Sequence, residues 1–229
     1  MFKTLKTRIH QGYQAIPDIR KATVKEPFRG LPVINKENCT SCGKCASVCP
    51  TNAINPDISI DLGKCIFCGD CERVCENNVI KFTNSHKIAT PSTVSEQIKK
   101  VFGKSLKLRQ VSAGGCNGCE MELNACSNVN FDMGRFGVEV VASPRHADGL
   151  LITGPITKNM AFALEDAYLS TPDPKIVILA GACAISGGVF QDSTAIDREF
   201  LEKHKVDLVI PGCPVHPLTV INGILDLIT

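Results

Sequence analysis

Thirteen cysteines in 229 residues carry the chemistry that this sequence advertises first. Eight of them form two runs, Cys39, Cys42, Cys45, Cys49 and Cys65, Cys68, Cys71, Cys75, with identical internal spacing. The other five are Cys116, Cys119, Cys126, Cys183 and Cys213. Cysteines this dense serve as disulfide partners or as thiolate ligands to soft metals, and the redox compartment separates the two uses. No N-terminal stretch joins a charged start, a long apolar run and a small-residue cleavage site, and no run of about 18 apolar residues could span a bilayer. The expected compartment is therefore reducing, which favours metal. A hydrophobic fraction of 44% excludes a disordered chain. A formal charge of +2 without a dense Lys/Arg block leaves nucleic acid without an electrostatic footprint.

The two runs belong to an internal repeat. Cys39-Thr-Ser-Cys42-Gly-Lys-Cys45-Ala-Ser-Val-Cys49-Pro is echoed by Cys65-Ile-Phe-Cys68-Gly-Asp-Cys71-Glu-Arg-Val-Cys75-Glu, which suggests two units about a pseudo-twofold axis. Three cysteines at three-residue spacing let one loop offer three thiolates to a four-iron cubane. In bacterial two-cluster ferredoxins the fourth cysteine of each run ligates the other cluster. On that rule Cys39, Cys42, Cys45 and Cys75 hold one 4Fe-4S cluster, and Cys65, Cys68, Cys71 and Cys49 hold a second. Zinc also takes Cys-x2-Cys pairs but prefers two separated pairs. Glu76 stands where proline is usual, a change that affects local hydration and removes no ligand. So few residues surround the two sites that metal binding is expected to supply much of the local folding energy.

The elements that must position the remaining cysteines alternate. Apolar runs predict strands near Leu106–Val111, Val138–Ala142, Gly149–Thr153, Ile176–Ala180 and Asp207–Ile210. Helices fill the gaps near Glu120–Ser127, Ile156–Ser170, Thr194–His204 and Pro217–Ile228. Such alternation argues for a parallel sheet covered on both faces. Sites in open parallel sheets form beyond the carboxyl ends of the strands. Cys116 and Cys119 follow the first strand, Cys183 the fourth and Cys213 the fifth, so the four are expected to converge on one edge. A third 4Fe-4S cluster is the reading; zinc and a redox pair at Cys116/Cys119 are the alternatives. Cys126 lies inside a helix and reads as a small buried hydrophobe. No G-x-G-x-x-G or Walker sequence is present to bind a nucleotide.

The domains expected are an arm over 1–34, a two-cluster unit over 35–84, a linker over 85–105 with a helix at Thr93–Phe102 ended by Gly103, and an α/β domain over 106–229. Glu120 reads as a cap on its helix or as a carboxylate facing a partner. Arg145 and His146, after the second strand, read as charges tuning the third cluster or as a sheet-end contact.

Two resemblances attach to these motifs. Phe28-Arg29-Gly30 and Leu62-Gly63-Lys64-Cys65-Ile66-Phe67-Cys68-Gly69 resemble the ferredoxin-type subunit of formate hydrogenlyase and, more distantly, that of respiratory complex I. The back half resembles the small subunit of energy-converting, membrane-bound NiFe hydrogenases and the terminal-cluster subunit of complex I. This second resemblance is carried by Gly115-Cys116-Asn117-Gly118-Cys119-Glu120, Arg135-Phe136-Gly137, Ser143-Pro144-Arg145-His146-Ala147-Asp148, Thr153-Gly154-Pro155-Ile156-Thr157, Pro172-Asp173-Pro174-Lys175, Gly181-Ala182-Cys183-Ala184-Ile185-Ser186-Gly187-Gly188 and Pro211-Gly212-Cys213-Pro214. It implies a flavodoxin-like parallel sheet of strand order 2-1-3-4-5, preceded by a small α+β bacterial two-cluster ferredoxin domain. It also implies an oxidoreductase subunit without catalytic residues of its own, relaying electrons through three 4Fe-4S clusters. The nickel–iron site would sit in a hydrogenase large subunit. Membrane subunits and a ferredoxin or formate dehydrogenase donor are the further partners implied, on the cytoplasmic face of the membrane. The segment Met1–His10, with Phe2, Leu5 and Ile9 among Lys3, Lys6 and Arg8, would rest against the membrane arm or on the protein's own surface. The other readings are the same wire in a complex I-like or sulfur-reducing assembly without nickel, and a free ferredoxin-like carrier.

Overall fold

The computed structural model describes residues 2–92, 96–103 and 105–229. The chain begins with helix α1, Phe2–Gln11, in which every side chain is exposed. Gly12, at φ +65°, ends it with its N–H on the Arg8 carbonyl at 3.0 Å. The segment that follows, within the arm expected over 1–34, packs on the back half. The Ile16 N–H donates to the Asn130 carbonyl at 2.8 Å, and Ile19 is buried in the core of the back half. Arg20 donates to the Asn222 carbonyl at 3.2 Å and pairs with Asp226. An apolar residue flanked by a guanidinium gives this strap both core burial and an anchor, so only α1 projects.

The cysteine repeat lies on a small scaffold. Strand β1, Pro32–Ile34, pairs antiparallel with β2, Ile80–Phe82, and between them lie the short helices α2, Lys44–Ser47, and α3, Asp70–Val74. Their apolar side chains bury little area, and the local core is made in part of Cys65 and Cys71 themselves.

After β2 the chain enters a six-stranded sheet. Strand β3 is Thr90–Pro91 and helix α4 is Glu96–Phe102; the beginning of the expected helix, residues 93–95, lies outside the described residues. Then come β4, Leu106–Ser112; α5, Gly118–Cys126; β5, Val138–Val140; β6, Gly149–Thr153; α6, Lys158–Ser170; β7, Ile176–Ala180; α7, Ala182–Ser186; α8, Glu199–Lys203; β8, Leu208–Ile210; and α9, Pro217–Ile228. The strand order is β3-β8-β7-β6-β4-β5. Its five parallel members run 2-1-3-4-5 in chain order, as expected. The sixth, β3, has no counterpart among the expected strands. The Thr90-Pro91-Ser92 stretch reads as a stop, but it pairs antiparallel along β8, and proline is tolerated there because an edge strand needs no donor on its outer side. The helix expected over Thr194–His204 shortens to Glu199–Lys203. Residues before it are spent on a bridge from Ile196 to Thr157 and on the Asp197 N–H bond to the Ile156 carbonyl.

Alternation along the strands divides the core into two layers. Leu151, Ile176 and Ile178 face one side, where α5 and α9 pack; Leu150, Ile152, Val177 and Leu179 face the other, against α6 and α8. Helix α9 is buried at every position but Asp226, because the strap around Ile19 covers its outer side. The rigid layers fix where each parallel strand ends, and the sheet edge beyond Ser112, Thr153, Ala180 and Ile210 carries the next set of cysteines.

Candidate metal centres

The two cysteine runs fold the same way, 26 residues apart. Gly43 and Gly69 take left-handed conformations at φ +73° and +80° before α2 and α3, and Ser41 and Phe67 do so at +55° and +54°. These turns point successive thiols inward and aim backbone N–H groups at sulfur. Ser41 donates to Cys39 Sγ and Phe67 to Cys65 Sγ, both at 3.4 Å; Ala53 donates to Cys49 Sγ at 3.2 Å and Val79 to Cys75 Sγ at 3.4 Å. Each run therefore sends three thiols to its own loop and the fourth across. A cavity of about 230 Å³ is lined by Cys39, Cys42, Cys45 and Cys75, walled by Ile54, Ile58 and Ile80. A tighter one, about 20 Å³, is lined by Cys49, Cys65, Cys68 and Cys71. Those are the two sets that the crossing rule names.

The first cavity has room for a bulky inorganic group. The second is closed down around its thiols, and there the fit rests on the donor set: four soft sulfur groups, of which Cys49 and Cys65 already receive N–H bonds, in an apolar wall. Among the described residues no three His, Cys, Asp or Glu side chains converge to hold a single ion.

At the sheet edge, Cys116 and Cys119 follow β4, Cys183 opens α7 after β7, and Cys213 follows β8. The ends of β4, β7 and β8 lie at one edge of the sheet, so topology brings the four to the same side, near enough that Cys213 and Cys183 raise the pKa of Cys119, and Cys213 and Cys116 that of Cys183. Gly181, at φ +95°, is what lets them approach: a Cβ there would stand 2.6 Å from Cys119 Sγ. Burial pushes the thiols of Cys65 and Cys183 up to about 11 and those of Cys71 and Cys119 up to about 12, with neighbouring cysteines adding to it. Such thiols stay protonated near neutral pH, so a metal binding there displaces protons. Cys42 is the opposite case: the Lys44 backbone N–H holds its exposed thiol below the ordinary value.

The three sets lie in series. Cys42 of the first is exposed, Cys65 and Cys71 of the second are buried, and Cys116 and Cys213 of the third are exposed. The second and third regions touch. Gly63 packs on Ile185 of α7, and a cavity of about 270 Å³ is lined by both Phe67 and Cys213. Arg29, in the sequence only a member of a motif, fastens this joint by donating from Nε to the Phe67 carbonyl at 2.8 Å. Phe28 packs its ring on His216, 5.0 Å between centroids.

Glu120 is buried at the third edge, and its Oε1 accepts from Ser112 at 2.6 Å and from Thr153 at 2.7 Å. Burial raises its pKa, but those two hydroxyls outweigh it and hold the carboxyl below the ordinary value. Its acceptor atom thus serves neighbouring strands. Cys126 is fully buried, donating to the Glu122 carbonyl, as a small hydrophobe would be placed. Arg145 and His146 do not approach the cysteines. They lie exposed in a 3-10 turn, Pro144–His146, leading into Gly149, which registers with Leu108. That is four residues, roughly 13 Å, short of Ser112. A short turn, without a full helix, carries the chain past β4, so the residues after β5 stay at mid-sheet.

Tandem loops lined by cysteine and a further cysteine quartet at the end of a parallel sheet define an iron–sulfur protein of mixed ferredoxin and α/β architecture. Comparison with known proteins agrees with that class. Residues 32–55 and 58–81 match the 4Fe-4S binding domain, and residues 116–227 match the NADH ubiquinone oxidoreductase 20 Kd subunit. A probable membrane-bound hydrogenase subunit of Pyrococcus furiosus is 42% identical over 129 residues, 56% of this chain and 77% of that protein. Formate hydrogenlyase subunit 7 of Escherichia coli is 42% identical over 61% of this chain and 58% of its own length. An NADH-quinone oxidoreductase subunit of Citrifermentans bemidjiense is 41% identical over 48% of this chain and 64% of its own. The chain belongs to the oxidoreductase family of the NADH ubiquinone oxidoreductase 20 Kd subunit and its hydrogenase relatives, with a 4Fe-4S binding domain in front. Among the described residues no helix is long and apolar enough to cross a membrane.

Proposed function

We propose that this chain is the electron-transfer small subunit of a multisubunit NiFe hydrogenase. The observation that carries the reading is the serial order of the thiol sets, exposed at Cys42, buried at Cys65 and Cys71, and exposed again at Cys116 and Cys213. Cys39, Cys42, Cys45 and Cys75 would hold one 4Fe-4S cluster, Cys49, Cys65, Cys68 and Cys71 a second, and Cys116, Cys119, Cys183 and Cys213 a third. When bound, each cluster supplies one-electron redox chemistry. The chain's own part is to hold, bury and bias. The N–H groups of Ser41, Ala53, Phe67 and Val79 favour sulfur-centred negative charge, and the apolar walls exclude water from the middle set.

The outer set would face an electron donor, and the sheet edge the nickel-bearing large subunit. Exposed Met121 beside Cys119, and Val189 and Phe190 beyond α7, supply apolar contact around that edge. The Cys116-Asn-Gly-Cys119 spacing, where complex I relatives carry adjacent cysteines, favours the hydrogenase partner over the quinone-linked one. Peripheral attachment to a membrane complex at the cytoplasmic face completes the reading, in keeping with the membrane-bound hydrogenase relative. Anaerobic purification of the tagged full chain from its own cells tests it. A large subunit carrying nickel and two nickel-binding cysteine pairs is expected. A large partner without nickel would overturn the hydrogenase reading in favour of a quinone- or sulfur-linked wire, and a chain purified alone would make it a free carrier.

A further inference from the structure

Arg198, the residue before α8, holds its guanidinium half-buried beneath the loop that carries Cys183. Nη1 donates to the carbonyls of Pro155 at 3.1 Å and Cys183 at 3.2 Å; Nη2 donates to those of Ala184 at 2.8 Å and Ile185 at 2.6 Å. All four acceptors are neutral. Among the described residues no carboxylate pairs with it, and the adjacent Asp197 is committed to the Glu199 N–H at 3.0 Å. A guanidinium cannot shed its proton, so a permanent positive charge is withdrawn from water with dipoles alone to offset it.

Three of the carbonyls belong to α7, and a cap for that helix would account for the hydrogen bonds. A cap does not account for the choice of an unpaired cation on the backbone of Cys183, one member of a thiol quartet. Burial disfavours the charged form of Arg198, and the neighbour that acts in the opposite direction is Cys183.

We propose that Arg198 is the fixed counter-charge of the cysteine quartet at the sheet edge, raising the reduction potential of the four-iron cluster held by Cys116, Cys119, Cys183 and Cys213. The inference rests on the third cluster of the proposed function. Four thiolates around a cubane are anionic, and reduction adds one more negative charge, so a nearby cation stabilises the reduced form. Removing it lowers the potential.

The test is a potentiometric titration followed by electron paramagnetic resonance on the anaerobically purified full chain, with R198Q and R198K beside the unsubstituted protein. Gln keeps a donor for the carbonyls and drops the charge; Lys keeps the charge and loses the fork. R198Q is expected to lower one of three midpoints by about tenfold in the reduction equilibrium, about 59 mV for one electron. The other two stay in place, and R198K stays near the unsubstituted value. Unmoved midpoints in R198Q, or an equal fall in R198K, would overturn the counter-charge role and leave a helix cap. Should R198Q hold only about eight irons instead of about twelve, R198K decides: full iron with an unshifted midpoint supports the charge, and loss of the same four irons contradicts it. If the unsubstituted chain itself carries about eight irons, the third cluster fails, and that is seen before any variant is made.

Discussion

In the front unit four thiols meet because they are near neighbours in the chain, whereas at the sheet edge they meet because parallel strands end there. Residues 39–49 and 65–75 need only left-handed turns and a crossing of the fourth cysteine to surround two cavities. Cys116, Cys183 and Cys213 are brought together by β4, β7 and β8, which are rigid because both faces of the sheet are packed. The proposed ligand sets thus rest on two supports, one made of local spacing with a core partly of cysteine, the other of a large apolar core. The difference teaches that loss of metal should be felt unequally along one chain.

The largest expected effect follows from that asymmetry. Chelating the iron should abolish amide-exchange protection in β1, β2 and the cysteine loops while β6 and β7 keep theirs, because the front unit buries too little apolar surface to stand alone. Equal protection in both regions after chelation would remove the distinction. Next comes the sheet edge by itself. Gly181→Ala puts a methyl 2.6 Å from Cys119 Sγ at a φ of +95°, and is expected to remove about four of about twelve irons while the front signals persist. Gly134→Ala, where a methyl meets open space, should leave the iron content unchanged. Full iron in Gly181→Ala would show that the edge is more plastic than its backbone implies.

The smallest effect concerns the joint between the regions. Burial, with a smaller contribution from His86, depresses His216 to about 4, so the folded state keeps it neutral while the unfolded state protonates near 6.5. Between those values the unfolded chain binds more protons, and stability falls as pH falls. Near pH 5.5 the loss should be about 1 kcal/mol relative to neutral pH. Thermal unfolding at pH 5.5 and 7.5 should show this drop in the unsubstituted chain and a smaller one in His216→Gln; identical drops would assign the acid sensitivity elsewhere.

How far the sequence can be read also divides along the two regions. The cysteine sets that line the two front cavities are legible because spacing groups them and the two-cluster ferredoxin rule crosses Cys49 and Cys75. The N–H bonds to sulfur and the positive φ of Ser41 and Phe67 are not, since neither residue type announces that conformation. In the back half, the parallel sheet and the converging edge follow from alternation and from the rule that sites form where parallel strands end, while the strand order comes from the family resemblance. The failures involve contacts between distant segments. Ile19 and Arg20 pack on α9 some 200 residues away, a contact to which no local pattern points. The two residues of β3 are too few to show a period. Of the two readings of Arg145, the sheet-end contact is the one its exposed turn at mid-sheet fits.

The most direct test of the three-set account is the iron and acid-labile sulfide content of the anaerobically purified chain, with electron paramagnetic resonance of the reduced form. The account predicts about twelve irons and about twelve sulfides per chain, with spin coupling among neighbouring clusters. A value near eight, with signals of two clusters only, would contradict a metal centre at the sheet edge and reduce the back half to a scaffold.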